Sequence, residues 1–132
     1  MQLKQVQYIM ESVRDWCTAN RHNLNHKGFS ADLNGMCAIA SGMLFEQLTM
    51  RGYKPIIAMS EGEYDSAHCF VLLEDMILDV TASQFGEPDI VIAHEKSVDM
   101  WYWTPRIQFG MVRSLLKHQK RTGWPKHQLV VL

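Results

Sequence analysis

No apolar run in this chain approaches the ~20 residues that a membrane-spanning helix requires. The opening MQLKQVQYIM also lacks the apolar centre of a signal peptide, so a cytoplasmic protein with no membrane partner is expected. Net charge is nearly absent: 13 Lys and Arg against 14 Asp and Glu leave a formal −1. Without a concentrated basic surface there is no counterion release to drive binding, so nucleic acid is not expected as a partner. The local cluster Lys117, Lys120 and Arg121, with Lys126 beyond, reads as a solvated helix end.

Cysteine is scarce, and three residues cannot all pair. They are read as thiols in a reducing compartment. No pair has Cys-x-x-Cys spacing. A zinc site from Cys17, His22 and His26, or from Cys37, His68 and Cys69, is therefore disfavoured, and neither a metal nor a cofactor is expected. Repeats, linkers and low-complexity segments are also missing. With 132 residues, 47% hydrophobic and 20% charged, the chain reads as a single soluble domain over 1–132 that can bury a real core.

Among what is present, Leu3, Val6, Ile9, Met10, Val13, Trp16 and Cys17 recur at helical spacing, which predicts an amphipathic helix over about 3–18. TANRHNLNHKGFSADLNG loses that period and reads as a long loop, a kind of segment that is often functional. A second helix is predicted from Gly35 and Met36, with Asp32 or Asn34 as N-cap and Gly52 as left-handed stop. Then come strands in YKPIIAMS, AHCFVLLE, MILDVTA and DIVIAH. The middle two are joined at Glu74-Asp75 as a hairpin, after an acidic loop holding Glu61, Glu63 and Asp65. MWYWTP reads as a short extended piece, core or groove wall, QFGMVRSLLKHQKR as a third helix, and TGWPKHQLVVL as a packed tail. The order gives an α+β fold with N-terminal helices on a mainly antiparallel sheet.

Three residues at element ends suggest chemistry: Cys37 opening a helix, His68 starting a strand and Asp79 ending the next. A helix N-terminus and a nearby imidazolium both lower a thiol pKa from about 8.5. The carboxylate of Asp79 would orient the imidazole. Hairpin pairing puts Asp79 near Cys69 or Phe70, diagonal to His68, and a bulge would bring the two closer. The backbone N–H of Cys37 and the side chain of Asn34 are candidate oxyanion donors. Gln84 and Thr81, close after Asp79, are candidates to hydrogen-bond this group, or else they finish a turn. Taken singly, each of the three residues has an ordinary structural role: a packing thiol, a strand hydrogen-bonder, a turn cap.

NGMCAIASGMLFEQLTMRGY followed by AHCFVLLEDMILDVTASQFG resembles the core of the transglutaminase-like branch of the papain-like cysteine hydrolases. The likeness spans about residues 30–86 and rests on a helix-opening cysteine, an H-x-[FWY]-V strand and an [ILV]-D-[VLI]-T-x-x-Q-F strand end. It implies Cys37 as nucleophile, His68 as general base and acid, and Asp79 as the orienting group. Cys69, directly after the histidine, departs from the apolar or small residue expected there. The resemblance implies a thiol hydrolase or acyltransferase: a peptidase, a glutamine deamidase or a transglutaminase. Its partner would be a protein or small amide substrate. The alternative is a non-catalytic protein-binding module that uses the 20–35 loop and Trp101–Trp103.

Overall fold

The computed structural model describes residues 1–22, 33–61 and 67–105, with Glu61 through its backbone alone. The expected third helix, the C-terminal tail with its basic cluster, Asp32, His26, Glu63, Asp65 and most of the 20–35 loop lie outside the described residues. Within them the order is α1 (Leu3–Asn20), α2 (Cys37–Met50), β1 (Ile56–Glu61), β2 (Ala67–Leu73), β3 (Met76–Asp79) and β4 (Val91–His94). The strands form one antiparallel sheet in the order β1-β2-β3-β4, with α1 and α2 packed on it.

Side chains alternate across a strand, so this register assigns every strand residue to a face. Val71 and Leu73 of β2 and Leu78 of β3 pack with Val6, Ile9 and Val13 of α1 and with Ile39, Ala40 and Leu44 of α2. Phe70 and Leu72 of β2, Ala58 of β1 and Ile77 of β3 lie on the opposite face, against Ala82, Tyr102 and Trp103. Burying each large apolar side chain contributes on the order of 1.5–3 kcal/mol.

α2 begins from a tight turn. The Met36 N–H bonds the Leu33 carbonyl at 2.9 Å, and Gly35 takes φ +87, which a glycine adopts without strain. Leu33, fully buried, is held at φ +62. The N-cap is Met36, with no side-chain cap, so Asn34 does not fill the capping role expected of it. The helix ends as expected: Gly52 sits at φ +86, and its N–H and that of Tyr53 bond the carbonyls of Thr49 and Leu48.

β2 and β3 pair as Val71↔Leu78, Leu72↔Ile77 and Leu73↔Met76 around the two-residue turn Glu74-Asp75. This is the expected register, reached without a bulge. β3 is shorter than MILDVTA suggests, because an Asp79 carboxylate oxygen accepts the Thr81 N–H at 2.9 Å and turns the chain into a short 3-10 turn, Ala82–Phe85. MWYWTP is not extended. Trp101–Trp103 form another 3-10 turn, closed by hydrogen bonds from Trp103 N–H to Met100 and from Thr104 N–H to Trp101. That curl buries Tyr102 and Trp103 together, where an extended strand would alternate them.

Candidate active site

β1 follows β2 as far as Glu61↔Ala67, whereas the β3 pairing ends at Val71↔Leu78. The β3-side edge of β2 is thus open beside His68 and Cys69. α2 fills it with its first residue, Cys37, which is partly exposed. Cys37 packs against the Ile57–Cys69 pair, and its sulfur lies within interaction range of the His68 ring, the Cys69 thiol and the Cys69 backbone N–H.

His68 and Asp79 lie on the sheet face away from the helices. In the β2–β3 register Asp79 falls opposite Phe70, so His68 is its diagonal neighbour, and the ring spans that distance. His68 Nε2 meets Asp79 Oδ2 at 2.6 Å, with both residues almost completely buried. The same Oδ2 accepts the Trp103 indole N–H at 2.7 Å, and Oδ1 accepts the Thr81 N–H at 2.9 Å and the Thr81 hydroxyl at 3.4 Å. Four donors converge on one carboxylate and fix its plane, and through it the ring. Phe85 meets the ring edge-on at 4.8 Å and stacks on Tyr102 at 4.3 Å. Tyr102 is held in turn by Glu87 and by Ser60, whose hydroxyl donates to its carbonyl.

With Nε2 committed to Asp79, Nδ1 is the nitrogen left to exchange a proton. Gln84 places its side-chain amide 3.2 Å from Nδ1. It donates there when the ring is neutral, and the amide turned by 180° accepts when the ring is an imidazolium.

The electrostatics follow from this arrangement. The Cys69 hydrogen bond, then the His68 hydrogen bond and charge, hold the Cys37 thiol well below its ordinary pKa against the opposing effect of burial. Burial alone would push His68 toward its neutral form. The Asp79 and Cys37 contacts outweigh it and raise the pKa to about 9. Cys69 is pushed upward by the Cys37 hydrogen bond and by burial. Cys17, buried beside the Met43 sulfur, is pushed up to about 12 by burial, with Arg14 opposing. The three thiols therefore differ sharply in character, and ionisation is favoured at Cys37.

The structure thus brings Cys37, His68, Asp79, Thr81 and Gln84 together. Asn34 sits in the exposed turn two residues before the N-cap of α2. Sequence reasoning missed Arg14, which reaches from α1 to the Val80 carbonyl at 2.9 Å and the Ser83 hydroxyl at 2.8 Å. It ties down the segment that carries Thr81 and Gln84. An arginine on the apolar stripe of α1, in step with Met10 and Cys17, was the available signal. Trp101–Trp103 read as core or groove wall with no sign of which is buried, and the bond from Trp103 to Asp79 had no sequence signal. No group of three His, Cys, Asp or Glu side chains among the described residues is disposed to hold a metal ion. Compared with known proteins, the chain matches no family model, no curated protein and no solved structure.

Proposed function

We propose that this protein is a cysteine-dependent acyl-transfer enzyme of the papain-like, transglutaminase-like kind, acting on an amide or thioester carbonyl. One observation carries the reading: a thiol at a helix N-terminus lies beside an imidazole whose far nitrogen is locked by a buried carboxylate.

In this mechanism Cys37 Sγ attacks the carbonyl carbon and the carbonyl oxygen takes the negative charge. The first N–H groups of α2, which have no partner inside the helix, point toward that charge together with the positive end of the helix dipole. His68, protonated at Nδ1, gives its proton to the departing amine or thiol. The acyl group is then bound to Cys37. Water or an amine enters, His68 Nδ1 removes its proton, and Cys37 leaves as thiolate. Water on a peptide bond makes the enzyme a peptidase and water on a glutamine side chain a deamidase; an amine acceptor makes it a transferase. The small chain favours side-chain or small amides. The binding-module alternative has lost much of its aromatic surface, since Tyr102 and Trp103 are buried and Trp101 alone of the three is exposed.

The test is acylation followed by peptide mass spectrometry, with a glutamine-containing peptide, a small amide and an acyl thioester as donors. The expected result is an acyl adduct on Cys37 from at least one donor. Turnover in Cys37→Ala should fall to background, a loss on the order of 10⁴–10⁶-fold. Equal turnover in Cys37→Ala, or no adduct from any donor, would refute the proposal.

A further inference from the structure

The residue after His68 departs from what the resemblance leads one to expect, and Cys37 packs against it. Cys69 is 2% exposed on the helix side of β2. It forms a small cluster with Ile57, against which Cys37, Ala38, Phe45 and Met59 pack. Cys37 packs against the Ile57–Cys69 pair on the helix side, while His68, which also acts on its sulfur, belongs to the opposite face of the same strand.

We propose that Cys69 is a positioning residue for this site: its thiol donates a hydrogen bond to Cys37 Sγ and holds that sulfur as a thiolate facing His68. The inference rests on the reading of Cys37 as nucleophile.

Of two thiols in contact, one carries the charge and the other stays a donor. The helix N-terminus and His68 stand on the side of Cys37, while Cys69 is enclosed by apolar side chains. The charge belongs on Cys37 and the proton on Cys69, consistent with the opposite directions in which the two are pushed. A thiol suits this position because it behaves as a small hydrophobe and still donates. Alanine or valine would fill the pocket without donating, and serine would donate with less favourable burial. The same bond serves both halves of the reaction. It is surrendered as the charge moves from Sγ to the carbonyl oxygen, and it is regained when Cys37 is expelled as thiolate during deacylation. No proton passes through Cys69.

The experiment measures the iodoacetamide alkylation rate of Cys37 against pH by peptide mass spectrometry, in the full chain and in Cys69→Ala, Cys69→Ser and Cys69→Val. Circular dichroism checks the fold of each. In the unaltered protein the acid limb should lie well below the ordinary thiol value. Cys69→Ala and Cys69→Val should move it up by about one to two pH units, the worth of a hydrogen bond to a charged group. Cys69→Ser should leave it within a few tenths. An unmoved limb in both alanine and valine variants would overturn the inference, as would equal shifts in serine and alanine. In either case the low limb of the unaltered protein leaves the nucleophile reading standing. An ordinary limb in the unaltered protein would overturn both.

Discussion

On the sheet face that meets α1 and α2, Val71, Leu73 and Leu78 are buried against Ile9, Val13, Ile39 and Leu44. On the other face Ser60, His68 and Asp79 are buried as deeply, and each has a hydrogen-bond partner. The helix side needs apolar volume of about the right shape, which many sequences supply. The far side needs particular atoms to meet. A buried polar group without a partner costs about 1–3 kcal/mol, and more if it is charged. One face is therefore a scaffold that tolerates change, and the other a network that does not. Cys37 lies at the strand edge where the two faces meet, drawing its position from the scaffold and its chemistry from the network.

Asp79→Asn is the severest test of that contrast. Asparagine keeps the shape but turns an NH2 toward one pair of the donors that now converge on the carboxylate. Turnover should fall by about 10³–10⁴-fold, and stability in urea melts by at least the roughly 1–3 kcal/mol of a buried donor left without a partner. A fall of less than tenfold would break the link between the buried network and the chemistry.

Leu44→Ala strikes the scaffold. Leu44 is fully buried in α2, and its truncation should cost about 2–5 kcal/mol of unfolding free energy. In the folded fraction the pH profile of Cys37 alkylation should stay put. A shift of a full pH unit would mean that the two faces are not separable.

Trp103→Phe is the mildest of the three. It removes one donor from Asp79 Oδ2 and leaves the His68 contact in place. Stability should drop by about 1–3 kcal/mol, read from chemical denaturation, with activity retained to within about tenfold. Full loss of activity would make the indole as necessary as the imidazole.

Much of this was legible in the sequence for specific reasons. The Glu74-Asp75 turn between two alternating runs set the hairpin register, and that register set Asp79 diagonal to His68. Helical spacing located both helices, and glycine at position 52 located an end. What was hidden depends on contacts between distant segments. Trp103 follows Asp79 by 24 residues and reaches it because the chain curls under the sheet. Arg14 precedes Ser83 by 69 residues, and no period links a helix stripe to one hydroxyl across the fold. Strand alternation sends the side chains of His68 and Cys69 to opposite faces. It gave no sign that a third residue at the strand edge would meet them both.

The pair also sets a pH window. The thiolate–imidazolium form appears as pH rises through the lowered pKa of Cys37, and it is lost as pH rises through about 9, where His68 gives up its proton. Stability carries the same sign for His68. Its raised pKa contributes most below the ordinary histidine value of about 6.5, and that contribution fades as pH climbs toward 9.

The most direct measurement is the alkylation rate of Cys37 against pH, beside Cys17 in the same protein and repeated in His68→Ala. The account predicts that Cys37 labels rapidly below pH ~7 while Cys17 stays almost inert, and that His68→Ala moves the Cys37 profile up toward the ordinary thiol value of about 8.5. A Cys37 that labels with an ordinary or raised profile, unaffected by His68→Ala, would contradict it.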